Sequence, residues 1–150
     1  CHNLAVGSTT PSYGVIKETA DYLKDTKTTL ASMIRPRGGN FIYNSIELRI
    51  MESDILKAIE AGTNELVFGA LTDDNSLDLE ALETLVIASQ GLPITFHMAF
   101  DEIPSDLQKS ALDELLDLIK FSCTVTALIN PSIQLKSLNL SAMLLAVSRF

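Results

Sequence analysis

Between Asn44 and Gly62 the apolar residues Leu48, Met51, Ile55, Leu56 and Ile59 recur at helical spacing. Asn44 followed three residues later by Glu47 forms a capping box at the start of this run, and Gly62 supplies its stop. The same pattern predicts a helix from Thr10, as N-cap, through Pro11 to about Lys24, with Val15, Ile16, Ala20 and Leu23 as its buried stripe. A third helix runs through Leu79, Leu82, Leu85 and Val86 to near Gly91. A fourth opens on Ser105 and Gln108 and carries Leu112, Leu115, Leu116 and Leu118. Short apolar runs lie between them: Thr29 to Ile34, Glu65 to Leu71, and Pro93 to Phe96. Strand then helix, repeated, predicts an α/β protein with a parallel sheet and right-handed crossovers. Gly69 inside the second strand points to close packing or close approach of a ligand.

The polar residues that stand out sit where each strand hands over to its loop. Arg35 and Arg37, two residues apart after the first strand, share a face if the strand continues, so two fixed charges point at one spot. Pro36 offers no N–H, and Gly38 and Gly39 allow close backbone approach, an arrangement suited to a carboxylate or phosphate. The alternative is a strand end whose arginines pair with nearby acids. Thr72 and Asp73 follow the second strand; Asp73 and Asp74 lack calcium-loop spacing and read as a solvated turn. His97 and Asp101 follow the third. His97 could donate to a ligand, move a proton or be a hydrogen-bonded core residue, and Asp101 could orient it or cap a turn. In a parallel sheet these carboxyl ends share one rim, where ligands bind.

Charge and composition narrow the partners. At 150 residues, 47% of them hydrophobic, the chain can bury one core. The net charge of −8, with no basic stripe, argues against nucleic acid. No apolar run approaches the roughly 20 residues of a membrane span, and the first residues do not resemble a secretion leader, so a soluble intracellular protein is expected. Nineteen acids and eight bases up to Asp117 put the body at −11, whereas Lys120, Lys136 and Arg149 make the remainder +3. That shift predicts two parts, residues 1–118 and a poorly specified tail over residues 119–150. Cys1 and Cys123 lie too far apart in sequence to suggest a disulfide framework or a zinc motif.

Three stretches carry a family resemblance: Thr10-Pro11-Ser12-Tyr13-Gly14-Val15-Ile16-Lys17, Ile34-Arg35-Pro36-Arg37-Gly38-Gly39-Asn40-Phe41, and Thr95-Phe96-His97-Met98-Ala99-Phe100-Asp101. In order, spacing and wording they resemble the signature segments of the CutC family, named for copper homeostasis. The resemblance implies a TIM-type (β/α) barrel, here partial and open because strand units are missing at both ends, with residues 119–150 departing from the family pattern. It implies a cytoplasmic copper homeostasis protein with Arg35, Arg37, His97 and Asp101 lining one pocket.

An open fragment must cover Val67, Ile94, Phe96 and Met33, either with a makeshift strand over Cys123 to Ile129 and a helix over Leu138 to Phe150, or by forming a homo-oligomer. The family name makes Cys1 and Met98 candidate copper(I) ligands, while Arg35, Arg37, Gly38 and Gly39 suit a small anionic ligand instead. Two other readings remain open. One is a barrel isomerase or lyase acting on a small phosphorylated or carboxylated substrate, with His97 and Asp101 as catalytic residues; the other is a fragment without function.

Overall fold

The computed structural model describes residues 1–119 and 125–127. Four parallel strands, β1 (Ala31–Met33), β2 (Glu65–Phe68), β3 (Ile94–Phe96) and β4 (Val125–Ala127), lie side by side in chain order. Helices α1 (Tyr13–Leu23), α2 (Ser45–Ala61), α3 (Leu79–Ala88) and α4 (Gln108–Ile119) alternate with them. The protein is therefore α/β with a parallel sheet, as the alternating pattern predicts. β4 falls within the strand expected over Cys123 to Ile129; the helix expected over Leu138 to Phe150 lies outside the described residues.

Local chemistry explains the most regular element. Asn44 Oδ1 accepts from the N–H groups of Ile46 and Glu47, and Glu47 Oε2 accepts from Asn44 N–H, so the capping box of α2 is complete. Met51, Ile55 and Ala58 then point inward, and the helix closes at Gly62. Two helix starts differ from expectation. α1 begins at Tyr13 with Ser12 as its cap, because Thr10 is engaged elsewhere, and only Ile16 of the predicted stripe is fully buried. Val15 is exposed, consistent with α1 packing mainly on its neighbour α2. α4 begins at Gln108, whose side chain donates to Ile103 O instead of closing a box with Ser105.

Strand alternation divides the apolar residues between two faces. Leu66 pairs in register with Ile94, and Phe68 with Phe96. All four join the core with Ile55 and Met51 of α2, Leu82 and Leu85 of α3, and Leu112 of α4. Met33, Val67 and Thr95 form the next row and point the other way. Val67, Ile94, Phe96 and Met33 thus do not share one face: Ile94 and Phe96 are covered by helices, and Met33 and Val67 belong to the opposite surface. There Thr95 Oγ1 donates to Glu65 Oε1, which pairs a polar strand residue with its neighbour.

Candidate functional site

Two residues beyond the row of Met33, Val67 and Thr95 come Arg35, Gly69 and His97. The ladder continues this far, with Ile34 N–H donating to Val67 O and His97 N–H to Phe68 O. The pleat therefore sets Arg35 and His97 on the same side, with the side-chain-free Gly69 between them. A Cβ on Gly69 would stand 2.9 Å from His97 Nδ1 and 3.0 Å from Phe96 Cζ, so glycine there is what lets the imidazole lie over the strand. Phe41 fills the remaining space. The Arg35 guanidinium stacks 4.6 Å from its ring centroid and the His97 ring lies 4.9 Å from it.

Arg35 is 3% exposed, which obliges the fold to satisfy a buried cation. Its Nη1 donates to the carbonyls of Val6, Gly7 and Ser8 at 3.0, 3.0 and 3.3 Å, and its Nη2 to Gly39 O at 2.6 Å. The chain before α1 wraps around the guanidinium to make this possible. Gly7 takes φ +80°, and a Cβ there would meet Nη1 at 2.9 Å. Thr10 fixes the wrap, because its N–H donates to Arg35 O and its Oγ1 accepts from Arg35 N–H, both at 2.9 Å. A cavity of about 350 Å³ opens beside this latch, between Thr10, Ile16, Ile50 and Asp54, and burial pushes the Asp54 carboxyl above its usual range.

Arg37 does not join Arg35 in aiming at one spot. Its Nε pairs with Glu47 Oε1 at 2.5 Å, its Nη2 donates to Glu47 Oε2 and Ile42 O, and its Nη1 donates to the carbonyls of Gly38 and Asn40. The Arg37 hydrogen bond, with that of Asn44 N–H, holds the Glu47 carboxyl below the usual range. The glycine pair serves the same end: Gly39 O takes Arg35 and Gly38 O takes Arg37. A Cβ on Gly38 would sit 2.7 Å from Val6 Cβ.

His97 is 1% exposed. Its Nδ1 accepts from Ala99 N–H at 3.3 Å, capping the short 3₁₀ turn Met98–Glu102. An accepting Nδ1 is unprotonated, so the neutral ring carries its proton on Nε2. Burial first, and the Arg35 charge second, lower its pKa from 6.5 to about 4. Asp101 is not brought to it: Asp101 lies exposed on the same turn, and neither ring nitrogen bonds to it.

Cys1 and Met98 sit on different elements, Cys1 exposed before the His2–Thr9 bridge and Met98 38% exposed on the turn. Among the described residues no three His, Cys, Asp or Glu side chains gather around a point that could hold a metal ion. The donors around Arg35 are N–H groups on and beside a cation, which does not fit copper.

Sequence reasoning missed Tyr43. It is buried, the Arg37 guanidinium lies 5.4 Å from its ring centroid, and its hydroxyl has no hydrogen-bond partner among the described residues. Burial pushes that hydroxyl's pKa up, and the nearby Arg35 charge holds part of the rise down. Arg35 Nε and His97 Nε2 are likewise buried without partners among the described residues. The only sequence signal for Tyr43 is its place two residues after Phe41, on the loop that the arginines bind together.

Fold and rim together define an α/β protein with a parallel sheet and a buried arginine–histidine site at the strand carboxyl ends. The CutC family model matches residues 1–127, and the chain belongs to the CutC family. It is 62% identical over 117 residues to a family protein CutC of Streptococcus pyogenes, covering 78% of this chain and 56% of that protein. Against the human protein named copper homeostasis protein cutC homolog, identity is 41% over 118 residues, covering 79% and 41%. A crystal structure of CutC from Streptococcus agalactiae superposes with a TM-score of 0.77 at 59% identity, covering 79% of this chain and 56% of that one. The chain thus spans about half the length of the relatives it matches.

Proposed function

We propose that this chain forms part of a CutC-type (β/α) barrel serving copper homeostasis, and that its rim binds a small anionic ligand through Arg35 and His97. Sequential strand order supports the barrel, since a doubly wound sheet reverses its order at a switch point and this one does not. One observation carries the anion reading. Arg35 is a buried cation at the strand carboxyl ends, and one of its N–H groups has no partner among the described residues. An anion placed there would satisfy that donor and offset a charge that four carbonyls solvate only partly. On this reading copper's connection to the site is indirect, because a cation beside Arg35 would be repelled. His97, neutral and not hydrogen-bonded to Asp101, holds the ligand and does not relay a proton. Self-association along the β1 edge, and cytoplasmic residence, belong to the same reading; among the described residues no helix is long and apolar enough to cross a membrane.

Thermal shift against sugar phosphates and organic acids, alongside copper(I), tests it. A saturable rise in Tm with at least one anion is expected, since a ligand at a hundred times its Kd adds about 2.7 kcal/mol. A flat response to every anion would remove the site. Stoichiometric copper surviving dialysis against a competing chelator would reinstate direct metal binding, and its loss on Cys1→Ser would identify a ligand.

A further inference from the structure

Three buried polar atoms among the described residues lack a hydrogen-bond partner: Arg35 Nε, Tyr43 Oη and His97 Nε2. All three belong to one place. Arg35 and His97 flank the Phe41 ring, and Tyr43, two residues further along that loop, carries its hydroxyl beside the Arg35 guanidinium without forming a hydrogen bond to it. All three can donate, since Nδ1 of His97 accepts from Ala99 N–H and leaves the proton on Nε2. Buried polar atoms are nearly always satisfied, so three orphans grouped around the Arg35 guanidinium mark a position that something else completes.

Resting on the anion reading above, we propose that this position takes a carboxylate monoanion in preference to a phosphate dianion, held by Arg35 Nε–H, Tyr43 Oη–H and His97 Nε2–H. Charge decides between the two. Glu47 already balances Arg37, and His97 is neutral by its hydrogen bond, so Arg35 is the one uncompensated cation of this cluster. A carboxylate brings one negative charge and about four acceptor sites on two oxygens, enough for three donors. A phosphate monoester carries close to two negative charges above neutral pH. The second would be buried without a partner, at a cost the site has no means to offset. A neutral carbonyl would leave the guanidinium as it was.

Matched probes at pH 8 test this on the purified full chain: propionate, propionamide and ethyl phosphate, each titrated into ¹⁵N-labelled protein and followed by amide chemical shifts. Propionate is expected to bind at least about tenfold more tightly than ethyl phosphate, with shifts centred on Gly69, Ala99 and the Phe41 loop. Tyr43→Phe removes one donor and no volume, so it should weaken propionate by about tenfold while leaving the melting temperature equal or higher. Ethyl phosphate binding as tightly as propionate, or more so, would overturn the carboxylate inference and leave the anion site standing. Propionamide matching propionate, or no anion binding to folded protein, would overturn both. An unchanged propionate affinity in Tyr43→Phe would remove Tyr43 from the site. Should that variant not fold, the selectivity of the wild-type protein decides the matter alone.

Discussion

Lowering the pH charges every unfolded histidine near 6.5, but His97 in the folded protein resists protonation down to about 4. Between those values the unfolded chain binds a proton that the folded one refuses, so stability falls as pH drops through the window and the loss levels off below about 4. The two pKa values are about 2.5 units apart, which corresponds to roughly 3 kcal/mol in total, about 2.5 kcal/mol of it lost by pH 4.5. The sign follows from the depressed folded value: this contribution is intact above 6.5 and lost on acidification. Carboxylates titrate in the lower part of the window, so a comparison with a variant isolates the histidine. Urea unfolding at pH 7.5 and pH 4.5 should show a fall in ΔG larger by about 2 kcal/mol in the wild-type protein than in His97→Gln. The His97 ring proton, followed by NMR, should stay at its neutral shift down to pH 5. A midpoint near 6.5, or equal acid sensitivity in the two proteins, would show that the ring is solvated and would refute the argument.

Three further outcomes follow from the packing around the same rim. Arg35→Lys keeps the charge but cannot reach the carbonyls of Val6, Gly7, Ser8 and Gly39 together, so about 2–4 kcal/mol should be lost in urea unfolding; a loss below about 0.5 kcal/mol would mean those carbonyls are hydrated. Gly69→Ala forces a methyl to within 3 Å of His97 and Phe96, costing about 1–3 kcal/mol and moving the His97 ring resonances; unperturbed resonances would place His97 elsewhere. Asn44→Ala opens the capping box of α2 and should cost about 1 kcal/mol, with faster amide exchange at Ile46 and Glu47 as the local signature.

Much of the architecture is local and therefore legible in the chain. Asn44, Glu47 and Gly62 define α2 through contacts within a few residues, and the alternation of short apolar runs with helical ones suffices to predict a parallel sheet. The positions of Arg35 and His97 at strand carboxyl ends were equally readable, because each follows its strand directly. What those residues do was not. Which carbonyls solvate Arg35 depends on a loop nearly thirty residues earlier, held in place by Thr10. The partner of Arg37 is a helix-capping glutamate ten residues on. Two arginines two apart in sequence read equally as one anion clamp or as strand-end residues paired with acids, and Arg37 takes the second course with Glu47, because buried guanidinium groups must be satisfied by whatever acceptors the fold supplies. Tyr43 and Gly69 have the same origin. A loop tyrosine becomes a buried hydroxyl, and a strand glycine becomes the floor under an imidazole, only when register and pleat bring distant segments within van der Waals contact. The sequence alone could determine the elements, since capping, periodicity and chain stiffness act over a few residues; burial, which sets the charge state of His97 and the partners of Arg35, is a property of the assembled fold.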